Sequence, residues 1–257
     1  MNSVSSPVPS RAIHYEIHGV GIPLFLGFPL MASHAQIFGA DGASVLRGYL
    51  DRLIDRYRVL LVDYPSIGKS GSIPEAELTA DRVCADLLRV ADAAGFDRFA
   101  WWGFSWGGAV GLQLASRTDR LSALVCGGWP PLGGQYAELL RASGEAAANP
   151  PASTLVVLRD ASQYAQWITF YESLQDWPEA EAVARIVCPR MTFAGSDGDP
   201  TAGHGVPVSI ATTIRERRAE LEAMGWCVRE IPGRDHSVFL DPAIVVPVVR
   251  EFLDAVL

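Results

Sequence analysis

A serine between two glycines is the feature of this sequence that most suggests covalent chemistry. The stretch Gly103-Phe104-Ser105-Trp106-Gly107 follows a β-rich run and precedes a helix-like pattern of small residues. A serine raised on a tight strand-to-helix turn has strained backbone angles, so its neighbours two positions away must lack side chains. Such a turn also directs the N–H of Trp106 toward an oxyanion that forms on a bound substrate. Alone, the pentapeptide could mark a glycine-rich packing corner, so a nucleophilic role for Ser105 depends on its partners.

A nucleophilic serine needs a histidine within hydrogen-bond reach and a carboxylate that orients this histidine. Among the five histidines, His236 follows the last β-rich run of the chain. A loop in that position lies at the carboxyl edge of a parallel sheet, where Ser105 also emerges. The sequence therefore predicts His236 as the base. His34, which follows the loop Phe28-Pro29, is instead expected to line the substrate pocket.

Two aspartates in one loop are candidates for the orienting carboxylate. The β-rich run Arg190–Ala194 leads into Gly195-Ser196-Asp197-Gly198-Asp199-Pro200, at the same edge of the predicted sheet. Asp199 is the preferred residue and Asp197 remains the alternative, although an aspartate beside a glycine also commonly forms turns. Asp235 is adjacent to His236 in the sequence, so their side chains are expected to diverge.

These loops need a sheet that brings them together, and the chain has the pattern of one. β-rich runs, several of them apolar at successive positions, alternate with amphipathic helical patterns. This alternation predicts a mostly parallel sheet with right-handed crossovers and helices on both faces. The β-rich runs are Ala12–Ile17, Pro23–Gly27, Arg58–Asp63, Phe99–Phe104, Ser122–Gly127, Arg190–Ala194 and Trp226–Ile231. The helical patterns are Ala80–Ala94, Gly107–Ser116, Pro207–Met224 and Ala243–Leu257.

One segment interrupts this alternation. Residues 129–186 contain two proline-rich breaks and several aromatic residues but no β-rich run. We interpret this segment as a helical cap inserted over the top of the sheet. The core is then formed by residues 11–128 and 187–257. Residues 1–10 are rich in serine and proline, which favours a flexible tail over a signal peptide.

The composition disfavours several classes of partner. The net charge of −8 argues against nucleic acid, because binding a polyanion needs clustered Lys and Arg. No apolar stretch approaches the ~20 residues that span a bilayer, so no membrane partner is expected. The four cysteines are far apart and have no metal-ligand spacing. This pattern predicts reduced thiols and a cytoplasmic location, with neither metal nor cofactor. A homo-oligomer is left open.

The order Ser105, Asp199, His236 resembles that of the α/β-hydrolase superfamily, in which the nucleophile lies on a turn after an internal strand. The resemblance extends from about Ile13 to the end of the chain. It includes the run Asp63-Tyr64-Pro65-Ser66-Ile67-Gly68-Lys69-Ser70-Gly71, which looks like the family's Asp-x-x-Gly-x-Gly-x-Ser loop with Ser66 in place of the first glycine. The resemblance implies an α/β-hydrolase fold over both parts of the core.

The loop that ends in Phe28-Pro29 departs from the family pattern. Relatives usually have His-Gly there, and Leu26 stands where the histidine would be. In the family this histidine mostly braces the loop, so its absence raises the question of how the loop is held. The resemblance implies that the N–H of Phe28 is the second oxyanion donor beside that of Trp106, since Pro29 has no N–H.

The resemblance also implies an activity. We expect a serine hydrolase that cleaves an ester-like bond of a small, largely apolar substrate through an acyl-enzyme on Ser105. The bond is a carboxylic ester, a lactone or a thioester, and carbon–carbon bond hydrolysis and a cofactor-free perhydrolase activity stay open. Trp129 and His34 are the expected substrate contacts. The alternatives are a cofactor-free lyase or oxygenase, which would use His236 as a base without acylating the serine, and a ligand-binding receptor on the same fold.

Overall fold

A seven-stranded sheet forms the centre of the computed structural model, which describes residues 12–150, 154–199, 201–203 and 206–257. The strands are β1 Tyr15–His18, β2 Ile22–Leu26, β3 Tyr57–Val62, β4 Phe99–Phe104, β5 Leu121–Gly127, β6 Arg190–Gly195, β7 Thr201–Gly203, β8 Val206–Val208 and β9 Trp226–Ile231. The strand order of the sheet is β1-β3-β2-β4-β5-β6-β9. Only β1 pairs antiparallel in this sheet, with β3, and the other pairs are parallel. β7 and β8 form a separate two-stranded ribbon.

Helices cover both faces of this sheet. The α-helices are α1 His34–Leu50, α2 Ala80–Ala93, α3 Trp106–Ala115, α4 Tyr136–Ala148, α5 Thr154–Val157, α6 Gln166–Glu172, α7 Glu179–Ala184, α8 Ile210–Glu216, α9 Arg218–Ala223 and α10 Pro242–Val256. Along β2, Phe25 belongs to a core cluster with α2 and α3, whereas Leu24 and Leu26 belong to a second cluster with α1 and α10. This is the two-residue period of a strand that is buried on both faces. The predicted α/β-hydrolase fold is thus confirmed.

The long connection between β5 and β6 is helical. It contains α4 to α7 and a 3-10 helix over Ala161–Ala165. Within the described residues α4 contacts α6, and α6 also contacts the 3-10 helix Glu75–Glu77 of the core. That residues 129–186 form a cap over the top of the sheet stays a prediction. The predicted tail, residues 1–10, lies outside the described residues.

Two elements differ from the sequence-based predictions. The prediction of a helix over Pro207–Met224 was wrong at its start, because Pro207 lies in β8. Val206 and Val208 are buried there, and the backbone pairs with β7. The helix itself begins at Ile210 and is divided at Arg217, whose backbone leaves helical geometry. The sequence also gave no indication of α1, which is kinked at Gly39 (φ 64°). No helix of the described part of the chain is long and apolar enough to cross a bilayer.

Candidate active site

Ser105 lies on the sharp turn between β4 and α3. Its φ of 54° is in the left-handed region, which a residue with a side chain rarely adopts. A Cβ added to Gly103 would lie 2.1 Å from the carbonyl oxygen of Gly107. A Cβ added to Gly107 would lie 2.1 Å from the carbonyl oxygen of Phe28. Both glycines are therefore required by the close approach of backbone to backbone around the serine.

His236 reaches the serine from the loop after β9. Its Nε2 is 3.0 Å from Oγ of Ser105, and its ring packs on that of Phe104 with 5.0 Å between the centroids. Burial lowers the pKa of His236 to about 4, and this effect outweighs the opposing attraction of Asp199 and Asp235. The imidazole is therefore neutral at pH 7 and can accept a proton from the serine hydroxyl.

The three candidate carboxylates have different surroundings. Asp199 accepts hydrogen bonds from the N–H groups of Ala211 and Thr212, in the first turn of α8. Its charge is the larger of the two carboxylate effects that favour protonated His236. Asp197 is exposed and accepts a hydrogen bond from the hydroxyl of its neighbour, Ser196 (2.7 Å).

Asp235 serves a local structural purpose. It accepts hydrogen bonds from the backbone N–H and the hydroxyl of Ser237, and so caps the 3-10 helix His236–Leu240. Among the hydrogen bonds of the described residues, none joins His236 to any of the three aspartates; its one bond is to Ser105. The structure thus brings the serine and the histidine into contact, and Asp199 acts on the histidine through its charge.

The two expected oxyanion donors are not equivalent. Trp106 begins α3, so its N–H has no acceptor within the helix, and it makes no hydrogen bond to any described residue. The N–H of Phe28 instead donates to the hydroxyl of Tyr64 at 3.0 Å. The Tyr64 ring is buried and packs edge-on against Trp106, with 4.9 Å between centroids. Tyr64 was missed by the sequence analysis, although it directly follows Asp63 in the recognised loop motif.

The loop after β2 is held without the usual histidine. Leu26 is 1% exposed and belongs to the apolar core. The carboxylate of Asp63 accepts hydrogen bonds from the N–H (2.8 Å) and hydroxyl (2.6 Å) of Ser33, and from the N–H of Lys69 (2.9 Å). The carbonyl of Phe28 accepts the N–H of Phe104 at 2.9 Å. Buried hydrogen bonds to Asp63 and the neighbouring strand therefore brace this loop.

Ser105 and His236 line one cavity of about 430 Å³, which is of the size usual for small-molecule sites. Most of its wall is apolar, from Met31, Phe38, Val45, Val157, Phe239 and Leu240. His34 also lines it, as expected. Trp129 does not line this cavity: it is 1% exposed, and its ring packs against Tyr136 in the core. The structure thus brings His34, but not Trp129, to the cavity that contains the serine.

Two of the four cysteines are too deeply buried to act as nucleophiles. Burial raises the pKa of the Cys84 thiol to about 12 and that of Cys126 well above its usual value, so both thiols stay protonated. All four cysteines are free. Throughout the described ranges, no three His, Cys, Asp or Glu side chains form a group that could hold a metal ion.

A strained serine at a strand-to-helix turn, with a neutral histidine on its hydroxyl and a mostly parallel sheet beneath both, defines the class of α/β-hydrolases. The model of the Alpha/beta hydrolase family matches residues 17–248. The chain belongs to this family.

The chain is similar to several named proteins, in sequence or in structure. RutD of Azorhizobium caulinodans, which is named as a carbamate hydrolase, is 32% identical over 120 residues, or 46% of this chain and 41% of RutD. The match therefore spans about two fifths of that relative's length. A carboxylesterase structure from Nitrososphaera gargenis has a TM-score of 0.68 at 18% identity, with 99% of this chain and 98% of that chain covered. The N-acyl homoserine lactonase AidH has a TM-score of 0.68 at 16% identity, covering 100% and 98%.

Proposed function

We propose that this protein is a serine hydrolase that cleaves an ester-like bond through an acyl-enzyme on Ser105. The observation that carries the proposal is the 3.0 Å contact between Oγ of Ser105 and Nε2 of His236. This contact joins a strained serine to an imidazole that burial keeps neutral. It is the arrangement in which a weak alcohol nucleophile becomes reactive.

The mechanism has two halves. In the first, Oγ of Ser105 attacks the substrate carbonyl while Nε2 of His236 takes the hydroxyl proton. The imidazolium then gives this proton to the leaving alcohol or thiol as the carbon–oxygen or carbon–sulfur bond breaks. In the second half, His236 takes a proton from water and the resulting hydroxide attacks the acyl carbonyl. The bond between the acyl carbon and Oγ then breaks, the carboxylic acid leaves, and His236 returns the proton to Oγ of Ser105. Asp199 stabilises the imidazolium in both halves through its charge.

The oxyanion needs donors that are positioned before the reaction. The N–H of Trp106 is one such donor, because nothing in the described structure accepts it. The N–H of Phe28 becomes the second when the oxyanion replaces the Tyr64 hydroxyl as its acceptor. An anionic oxygen is a stronger acceptor than a phenol, so this exchange favours the transition state over the resting enzyme.

The cavity supports a small and largely apolar substrate. Its wall is mostly aliphatic and aromatic. The esterase and lactonase among the similar structures, and the carbamate hydrolase name of RutD, refer to acyl compounds with a heteroatom leaving group, which is the bond type that this mechanism cleaves.

A screen of p-nitrophenyl esters of increasing chain length, lactones and thioesters tests the proposal. We expect turnover of at least one class by the wild-type protein. Ser105→Ala and His236→Ala should each lose about 10⁴- to 10⁶-fold in kcat. Full turnover by the Ser105→Ala protein would refute the proposal. Substrate cleavage or oxygen consumption without any acyl transfer to the protein would instead favour a lyase or oxygenase.

A further inference from the structure

We infer that His34 donates a hydrogen bond to bound substrate, and that the enzyme selects substrates whose apolar arm carries a neutral oxygen acceptor. This inference rests on the proposed function, because it concerns the specificity of the same site. It depends on three observations. These are the burial of His34, the protonation and hydrogen bonding of its two ring nitrogens, and the charged residues around the cavity that it lines.

The imidazole of His34 is buried and makes no hydrogen bond to a described residue, although it packs on the Phe38 ring with 4.7 Å between the centroids. His34 is the first residue of α1 and is only 3% exposed. Its Nδ1 is buried and makes no hydrogen bond in the described part of the chain. No hydrogen bond of the described residues uses this ring, so its donor is available to a molecule that enters the cavity. The shared cavity with Ser105 and His236 places that molecule beside the reacting serine.

The protonation state of the ring determines what it can bind. Burial lowers the pKa of His34 to about 4, so the ring is neutral at pH 7 and carries one proton. A proton on Nδ1 would be buried without an acceptor, which costs free energy, whereas Nδ1 with a lone pair avoids an unpaired buried donor. This difference favours the tautomer that has its proton on Nε2. Nε2 also makes no hydrogen bond to a described residue, but unlike Nδ1 it is accessible, so it is the ring nitrogen that faces the cavity lined by His34.

The charges around the cavity indicate which chemical type of acceptor group the substrate carries. The lining residues include no Lys or Arg, and the exposed Asp41 adds a carboxylate at the mouth. A carboxylate on the substrate arm would therefore meet a neutral donor and a like charge. A ketone, amide or ether oxygen can accept the hydrogen bond from His34 without needing a positive charge and without repulsion from Asp41. The substrate class is thus an ester-like compound with an apolar arm that is interrupted by one uncharged oxygen acceptor.

Matched ester pairs test this inference. Each pair has a ketone in one member and a methyl branch of similar shape in the other: 4-oxopentanoate with 4-methylpentanoate, 5-oxohexanoate with 5-methylhexanoate, and 6-oxoheptanoate with 6-methylheptanoate, all as p-nitrophenyl esters. Acetate esters of the corresponding keto and methyl alcohols form a second series, so that either arm can occupy the cavity. The measured quantity is the ratio of kcat/KM for the oxo member to that for the methyl member.

We expect this ratio to fall about two- to tenfold from wild type to His34→Leu for at least one pair, the worth of one neutral hydrogen bond. His34→Gln, which keeps a side-chain N–H donor, should retain most of the wild-type ratio. Because each ratio compares two substrates on the same protein, a general loss of folded enzyme cancels. Equal ratios for wild type and His34→Leu in all pairs, or a loss of the same size in His34→Gln and His34→Leu, would overturn the inference.

The proposed function and this inference fail in different ways. If the methyl esters are cleaved and the ratios do not change, the hydrolase proposal stands and the role of His34 is wrong. If no ester is cleaved, calorimetry with the wild-type and His34→Leu proteins compares binding of 5-oxohexanamide and 5-methylhexanamide. Tighter binding of the oxo amide that disappears in His34→Leu supports the inference, and equal affinities in both proteins overturn it.

Discussion

Replacing Asp199 by Asn tests which carboxylate supports the histidine. In the structure the Asp199 carboxylate accepts two backbone N–H groups at the start of α8, and its charge favours protonated His236. Asn keeps a similar shape and one oxygen acceptor, but it removes the charge and turns one acceptor into a donor. The change therefore affects both the reaction and the stability of the loop.

The expected size follows from these contacts. A nearby opposite charge shifts a pKa by about 1–3 units. This shift corresponds to about 1.4–4 kcal/mol, so we expect kcat/KM to fall about 10- to 1000-fold. Loss of one charge-assisted hydrogen bond costs about 1.5–3 kcal/mol of unfolding free energy. For a chain of this size, each kcal/mol lowers Tm by about 2–4 °C.

Ester hydrolysis and thermal unfolding of Asp199→Asn measure the two effects separately. Asp197→Asn is the matched control, because Asp197 is exposed and bonded to Ser196; it should keep kcat/KM within about twofold. A loss near 10⁴ in Asp199→Asn would indicate that a direct aspartate–histidine hydrogen bond forms in the substrate complex. The reasoning is refuted by a loss below threefold in Asp199→Asn, or by equal losses in both variants.

Three further predictions concern the base, the oxyanion site and the bracing of the loop. The reaction needs neutral His236, and burial lowers the pKa of this ring to about 4. The value of kcat/KM should therefore be constant from about pH 5 to 8 and fall as the pH decreases through about 4. A pH profile of kcat/KM with its midpoint near about 6.5, the ordinary pKa of histidine, would contradict the burial of this ring. Tyr64→Phe removes the hydroxyl that accepts the Phe28 N–H, so kcat should remain unchanged or increase by up to about tenfold. A decrease of kcat by about tenfold would mean that the Tyr64 hydroxyl itself donates to the oxyanion. The Asp63 carboxylate accepts three hydrogen bonds, two of them buried, and Asp63→Asn turns one of its two oxygen acceptors into a donor. Chemical denaturation should therefore show a loss of about 2–4 kcal/mol in unfolding free energy, and a change below about 0.5 kcal/mol would show that other contacts brace the loop.

Elements with a strong local pattern were predicted closely from the sequence. β4 and β9 have the predicted bounds, because each is a short β-rich run with turn-forming residues at its ends. The nucleophile turn was recognisable for the same reason: the two glycines are required by backbone contacts that occur wherever this turn forms.

Features that depend on tertiary packing were not predicted. α1 contains Gly39, Gly42 and Gly48, which lower helix propensity, and it remains helical because residues such as Leu46 pack in the core cluster shared with α10. β8 pairs with β7 although Pro207 follows a glycine-rich loop, a pairing that no local pattern specifies.

Some features of the candidate active site also depend on tertiary packing and could not be predicted from the sequence. An aromatic residue after a strand can line a pocket or fill the core, and Trp129 is in the core. The contact between Tyr64 and the N–H of Phe28 joins two loops that are 36 residues apart, so no short motif encodes it. The choice between Asp199 and Asp197 likewise required their surroundings, which differ in hydrogen bonding and exposure.

Trapping the acyl group on the protein tests the central claim most directly. The wild-type protein is mixed with a p-nitrophenyl ester, quenched in acid within the first turnovers, and digested for peptide mass spectrometry. We predict an acyl mass on the peptide that contains Ser105, slower formation in His236→Ala, and none in Ser105→Ala. Turnover of the ester without an acyl mass on Ser105, even at the earliest quench times, would contradict nucleophilic catalysis by this serine.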